Sequence, residues 1–341
     1  MTTPAKAPLI EARDLRVTFE IRRPSDLPWT TPPKLRAVNG VSFTLEEGKT
    51  LGIVGESGCG KSTLARALIR MLPAEGEVIW EGKTDLLKLS PRQMLKHRAD
   101  IQMIFQDPLA ALDPRMTVGE IIAEPLRTHR PRMGARARKE KVREMMEKVG
   151  LLPNQINRYP HEFSGGQCQR IGIARALVVE PKLLICDEPV SALDVSIQAQ
   201  VIALLEDLRR ELGLTIVFIA HDLSVVRHVC DEVLVLYLGQ MMETGESKAL
   251  FRQPEHPYTQ ALLSAVPIPD PKVERSKTLI TLEGDLPSPL NPPSGCPLRT
   301  RCGRATEVCA QTPPVRHRAA STVVCHHPGP AEALQDVLAE G

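Results

Sequence analysis

The chain has 341 residues, enough for about two domains of roughly 100–200 residues each, with the 42% hydrophobic and 25% charged content of an ordinary globular protein. Its 43 Lys and Arg against 41 Asp and Glu leave a formal net charge of +2, which removes any global electrostatic case for binding nucleic acid or an anionic membrane. No apolar run approaches the ~18 residues that span a bilayer, and no apolar h-region follows Met1–Lys6, so a cytosolic chain is expected, reaching any membrane through a partner.

Residues 9–21 alternate like a strand (Leu9, Glu11, Leu15, Val17, Phe19), and Val38–Leu45 predicts a second one. The Pro-rich interruption between them, Pro24 to Pro33, reads as a surface loop. Three nearly continuous apolar runs follow: Leu51–Val54, Leu183–Cys186 and Thr215–Ala220. Such runs fit strands buried on both faces of a parallel sheet covered by helices. Helical patterns over Ser62–Met71, Ala135–Val149, Gln167–Val179 and Ile197–Leu212 sit among them, and the alternation predicts an α/β domain. The basic stretch from Arg127 to Arg143 has no interleaved aromatics for base stacking and reads as a solvated helix face. From about Gln253 prolines recur at 254, 257, 267, 269 and 271 with little helical periodicity. The division expected is a main domain at 1–252, a Pro-rich connector at 253–295 and a cysteine-bearing extension at 296–341.

Gly55-Glu56-Ser57-Gly58-Cys59-Gly60-Lys61-Ser62 matches the P-loop pattern G-x-x-x-x-G-K-[ST], with an expected strand before it and an expected helix after. The glycines let backbone amides wrap phosphates, Lys61 reaches the β- and γ-phosphates, and Ser62, next to Thr63, offers a hydroxyl to Mg²⁺. Nucleotide binding with Mg²⁺ is the direct expectation, and the P-loop alone leaves many NTPase families open. The run Leu183–Cys186 ends in Asp187-Glu188, an acidic pair where an open α/β sheet places its ligand chemistry. Asp187 can hold the Mg²⁺ shell and Glu188 can polarise water. Thr215–Ala220 ends in the same manner in His221-Asp222.

Phe163-Ser164-Gly165-Gly166-Gln167 opens the expected helix at Gln167 and precedes Asp187. Ser-Gly-Gly at a helix start is a second anion site, and two such sites in one chain suggest a shared nucleotide. Here the sequence resembles the ABC ATPase family, whose signature usually carries Leu where this chain has Phe163. The resemblance implies a P-loop ABC-type nucleotide-binding domain: a mixed-sheet core with a helical subdomain at about 107–180. It also implies two subunits packed head to tail, so that Ser164, Gly165, Gly166 and Gln167 of one close over ATP on the other's P-loop. By the same resemblance Gln106 is the Q-loop glutamine that couples Mg²⁺ and water to a transmembrane partner. Ser191-Ala192-Leu193-Asp194 is the D-loop across the dimer interface, and His221 is the switch histidine at the γ-phosphate. Phe19 takes the adenine-stacking place, often Tyr in the family, a core position being the alternative; stacking on a base is worth about 1–3 kcal/mol. Glu188 is then the general base.

Stretches such as Ile101–Pro108, Asn157–Gln167, Asp187–Asp194, His256–Thr259 and Leu286–Pro289 are similar to the oligopeptide/dipeptide importer ATPases. That similarity implies an unlike second ATPase, two transmembrane permeases and an extracytoplasmic peptide-binding protein as partners, and a peripheral place on the cytoplasmic face of the inner membrane. No residue here would touch peptide, so uptake of dipeptides, murein peptides or nickel stays open within transport. The rival outside transport is a soluble ABC ATPase acting on nucleic acid or ribosomes; it usually carries two cassettes or a long coiled coil, and neither is present. Of eight cysteines, Cys59, Cys168, Cys186 and Cys230 are scattered while Cys296, Cys302, Cys309 and Cys325 cluster. Their C-x5-C, C-x6-C and C-x15-C spacing lacks any C-x-x-C and is a weak zinc pattern by itself. In the importer family the corresponding region resembles a [4Fe–4S] site, which makes these four the candidate ligands.

Overall fold

The computed structural model describes residues 7–22, 31–191, 193–267, 270, 274–275, 277, 279–318 and 321–330. Most of the expected Pro24–Pro33 loop, Ala192 of the expected D-loop, Pro269, Pro271 and the end of the cysteine-bearing extension lie outside the described residues. In chain order the elements are β1 (Ile10–Glu20), β2 (Lys34–Leu45), β3 (Thr50–Val54), α1 (Lys61–Leu68), β4 (Glu75–Trp80), β5 (Thr84–Asp85), α2 (Pro91–His97) and β6 (Ile101–Ile104). There follow α3 (Val118–His129), α4 (Ala135–Lys148), α5 (Gly165–Leu177), β7 (Leu183–Asp187), α6 (Val195–Leu212), β8 (Thr215–Ile219), α7 (Leu223–Val229), β9 (Glu232–Tyr237) and β10 (Gln240–Glu246). The chain continues through α8 (Ser247–Arg252), α9 (Pro257–Ser264), a short helix at Glu307–Gln311, β11 (Arg316–Arg318) and β12 (Ser321–Val324). Among the described residues no helix is long and apolar enough to cross a membrane.

Two compact units divide this chain. The first holds Met1–Leu45, Leu51–Leu87 and His221–Gly341. In it β1 pairs antiparallel with β2 and β4, giving the order β2-β1-β4-β5. Ile10, Ala12, Leu15 and Val17 of β1 are buried, and the slip in their alternation is a bulge at Asp14, which takes φ 47 while its N–H donates to Ser42 Oγ at 2.8 Å. A second run places β3 parallel to β9, then β10, β12 and β11 in antiparallel succession. The cysteine-bearing extension thus contributes sheet strands to this unit.

The stretch expected to be extended after Gln253 is helical at α9. His256 caps it, its Nδ1 accepting from Tyr258 N–H at 3.0 Å, and Pro257 occupies its first turn, where a missing N–H costs nothing. The proline that argued against helix is the one that starts it. Just ahead of α9, Glu243 of β10 is fully buried and accepts from the N–H groups of Glu255 and His256 at 3.0 and 3.1 Å and from Ser321 Oγ at 3.3 Å. Burial pushes His256 down to about 3 and pushes Glu243 above the ordinary carboxylate range. Between about pH 3 and 6.5 the unfolded chain binds a proton at His256 that the folded chain does not, so this contribution to stability falls as pH drops through that window. Glu243 has the opposite sign, so the comparison must isolate the histidine. His256→Asn keeps a capping acceptor without a titration; on going from pH 7 to 5 in urea unfolding, wild type should lose about 2 kcal/mol more than the variant. Equal losses would disprove the assignment.

The second unit holds Glu46–Thr50 and Lys88–Ala220. Its β6, β7 and β8 form a parallel run with β7 in the middle, and every residue of β7 and β8 is buried, as the apolar runs require. Helices α3, α4 and α5 pack together into the expected helical subdomain. The helix α3 escapes periodicity because Pro125 lies inside it; its start is set by a capping box between Thr117 and Glu120. Charges of the basic stretch are partly spent locally, Arg136 pairing Glu140 at 3.1 Å and Lys141 pairing Glu180.

Candidate nucleotide site

In the first unit the P-loop joins β3 to α1. Gly60 caps α1 at φ 104, and a Cβ there would lie 2.2 Å from Ala37 O, so no other residue fits without moving the backbone of β2. The loop is tied further by Gly239 N–H donating to Cys59 O at 2.8 Å. Lys61 is only 5% exposed and folds back over the loop, its Nζ donating to Gly55 O at 2.9 Å and Glu56 O at 3.1 Å. A buried ammonium held by carbonyls, inside a turn of backbone amides at a helix start, is suited to accept a polyphosphate. Burial raises the Cys59 thiol, with Lys61 opposing, so this loop cysteine is a packing residue rather than a nucleophile. Phe19 is half-buried on β1 opposite Leu35 and stands outside the core. His221 is exposed, and Asp222 caps α7 by accepting from Ser224 N–H at 2.8 Å.

Two residues of this unit that sequence reasoning missed hold the P-loop. Tyr258 Oη accepts from Glu56 N–H at 2.9 Å, and Arg301 Nη1 donates to the Glu56 carboxylate at 2.8 and 3.1 Å. Burial alone would lower Arg301; the Glu56 carboxylate and the Tyr237 hydroxyl beside it outweigh this and hold its charge. Tyr258 lies in a stretch noticed only for its family likeness, and Arg301 carries no motif at all.

In the second unit Asp187 ends β7 and is fully buried. Glu188 follows at φ 46, a left-handed conformation that costs a non-glycine residue of order 1–3 kcal/mol and collects at functional sites. Its N–H donates to Ile219 O at 3.1 Å, and its carboxylate accepts from Gln106 Nε2 at 2.9 Å. The two residues expected to handle water are therefore in direct contact. Ser164 caps α5 in a reciprocal box with Gln167, its Oγ accepting at 3.3 Å and its N–H donating at 3.0 Å. Both Ser164 and Gly165 are exposed at the helix start. Gly166 has a packing reason to be glycine, because a Cβ there would meet Ile197 Cγ2 at 2.6 Å. Asp194 stands exposed at the N-cap position of α6 without a side-chain cap hydrogen bond, and Val195 after it is 82% exposed.

Cys296, Cys302, Cys309 and Cys325 are free thiols lining one small cavity of the first unit with His256, His326 and His327. Burial pushes Cys296 up to about 11 and raises Cys302 and Cys325. The donor type suits a soft metal, but the free space is about 10 Å³, no more than one water, and among the described residues no group of three or more His, Cys, Asp or Glu is spaced to hold a metal ion.

A P-loop helix, an acidic strand end holding a glutamine and a capped Ser-Gly-Gly-Gln helix start define a P-loop ATPase of the ABC class. The family profile described as ABC transporter matches residues 38–191, and that described as oligopeptide/dipeptide transporter, C-terminal region, matches 242–309. The chain is 62% identical over 92% of its length, and 94% of the relative's, to the oligopeptide transport ATP-binding protein OppF of Escherichia coli (strain K12). It is 62% identical to OppF of Haemophilus influenzae over 90% of this chain and 92% of that one, and 52% identical to AppF of Bacillus subtilis (strain 168) over 96% and 99%. The chain therefore belongs to the ABC transporter ATP-binding proteins, in the oligopeptide transport branch, and is similar to the F-type ATPases of that branch. Among solved structures, the dimeric post-hydrolysis ATP-binding cassette MJ0796 bound to ADP and Pi aligns at TM-score 0.62 and 28% identity, covering 70% of this chain and 98% of that one. The structure of cbiO1 from Clostridium perfringens aligns at TM-score 0.60 and 27% identity, covering 72% and 91%.

Proposed function

We propose that this chain is one of two unlike ATPases powering an importer that takes up oligopeptides through two transmembrane permeases, supplied by an extracytoplasmic peptide-binding protein. Its likeness to oligopeptide transport ATP-binding proteins along most of both chains carries this reading. The chain works peripherally on the cytoplasmic face of the inner membrane and has no nucleic-acid partner. The cassette is residues 1–252, joined through 253–295 to the extension at 296–341.

The P-loop turn from Gly55 to Gly60, with Glu56, Ser57, Gly58 and Cys59 between, cradles the phosphates of ATP, Lys61 neutralises them, Thr63 follows in the same helix turn, and Phe19 stacks on the adenine. By the P-loop motif and the family resemblance Ser62, Gln106 and Asp187 would hold Mg²⁺, a hard cation that takes oxygen donors, and the ion would neutralise charge on the phosphate oxygens. Glu188 takes the proton of the attacking water, Gln106 orients Glu188, and His221 contacts the γ-phosphate. Ser164, Gly165, Gly166, Gln167 and Asp194 serve the nucleotide of the partner ATPase. Pull-down of the tagged chain from its native membrane in detergent tests the assembly: two permeases and a second, unlike ATPase should come with it. A soluble homodimer stimulated by DNA or ribosomes would overturn the transport reading, and recovery with a nickel- or dipeptide-binding protein would move the substrate.

Cys296, Cys302, Cys309 and Cys325 are the ligand set for an iron–sulfur cluster in this reading. Their thiol chemistry and their shared cavity support it, and the walls of that cavity must part to admit a cluster. Anaerobically purified protein should then carry about four irons per chain and absorb in the visible sulfide bands. Iron-free, colourless protein would end the idea.

A further inference from the structure

Glu56, the second residue of the P-loop, is gripped twice from a distant part of the chain. Its carboxylate receives Arg301 Nη1 on both oxygens, at 2.8 and 3.1 Å, with the two side chains only 11% and 27% exposed. Its backbone N–H is satisfied by Tyr258 Oη at 2.9 Å, and Tyr258 is fully buried with its ring 4.8 Å from that of Tyr237 at the end of β9. Tyr258 and Arg301 both fall within the C-terminal-region profile and outside the ABC profile. Exposed ion pairs contribute almost nothing, whereas a largely desolvated pair is costly to break because the surviving charge is left stranded. Here the stranded charge would be Glu56, one residue after Gly55 and within the turn that Lys61 Nζ binds through Glu56 O.

We propose that Arg301 and Tyr258 are positioning residues for the P-loop, so that the affinity of this chain for ATP is set in part by its C-terminal region. The proposal rests on the assignment of the P-loop as the ATP site. A staple acting on stability alone would lower the melting temperature and leave the affinity of the folded protein untouched. A positioning role moves affinity, and moves it through Glu56.

The test is fluorescent-ATP titration and steady-state hydrolysis on the full chain, comparing wild type with R301A, R301K, E56Q and the double variant E56Q/R301A. R301A should raise Kd and KM for ATP about 5- to 30-fold with kcat changed less than about 2-fold, R301K should recover part of the loss, and the double variant should bind no worse than the weaker single one. Wild-type affinity in R301A, or single effects that simply multiply in the double variant, would overturn the proposal. Should R301A fail to fold, R301K and E56Q decide: both binding within about 2-fold of wild type overturns it as well. Lys61→Ala separates the two levels. If it too binds like wild type, the P-loop assignment fails; if it loses ATP while R301A does not, only the positioning role fails.

Discussion

Replacing Glu188 with glutamine should lower ATP hydrolysis by about 10²–10⁴-fold, the usual worth of general-base help, while ATP still binds. The geometry makes this a clean substitution. Glu188 is held in its left-handed conformation by main-chain contacts, its N–H to Ile219 O at 3.1 Å and its C=O receiving Ser191 Oγ at 3.1 Å, neither of which involves the carboxylate. The hydrogen bond that its carboxylate accepts from Gln106 Nε2 at 2.9 Å can be kept by the amide oxygen of glutamine. What disappears is the basic oxygen, because an amide cannot take a proton from water. With chemistry blocked and binding intact, ATP should hold the signature of one subunit on the P-loop of another and trap a closed dimer. Phosphate release and nucleotide affinity measured on the same preparation decide the matter. Wild-type turnover would remove Glu188 from the role of base; lost affinity would recast it as a nucleotide ligand.

Lys61→Ala should weaken ATP binding about 10- to 150-fold, the value of a charge-assisted hydrogen bond of about 1.5–3 kcal/mol. Lys61 is 5% exposed, and its ammonium is satisfied by the Gly55 and Glu56 carbonyls of its own loop. Moving it onto phosphate exchanges neutral acceptors for charged ones at little reorganisation, which is why its loss falls on the ligand more than on the fold. Isothermal titration with ATP reads the effect directly, and circular dichroism confirms that the variant is folded. Unchanged affinity in a folded K61A protein would contradict the phosphate role outright. Arginine is no substitute here, since its planar fork is larger and cannot take the place of a compact point charge in a closed turn.

The local structure around the candidate site was legible in sequence wherever it depends on consecutive residues. The turn into α1 rests on eight neighbours, Asp187-Glu188 on the end of one apolar run, and Ser164 to Gln167 on one helix start, so pattern and spacing suffice to place each. The buried strands at 183–187 and 215–219 were equally plain, because a strand covered on both faces must be apolar throughout. Tertiary structure alone decided the rest. Proline at 257 starts α9 instead of forbidding it, which depends on His256 being free to cap. Gly166 is required by Ile197, a residue of the next helix but one strand away in sequence. Above all, Glu56 is held by Tyr258 and Arg301, and a side chain's partner two hundred positions along the chain leaves no trace in its own neighbourhood. Periodicity and motif report what a residue does with its neighbours; burial, and the pairing of charges that burial forces, is settled only when the chain has closed on itself.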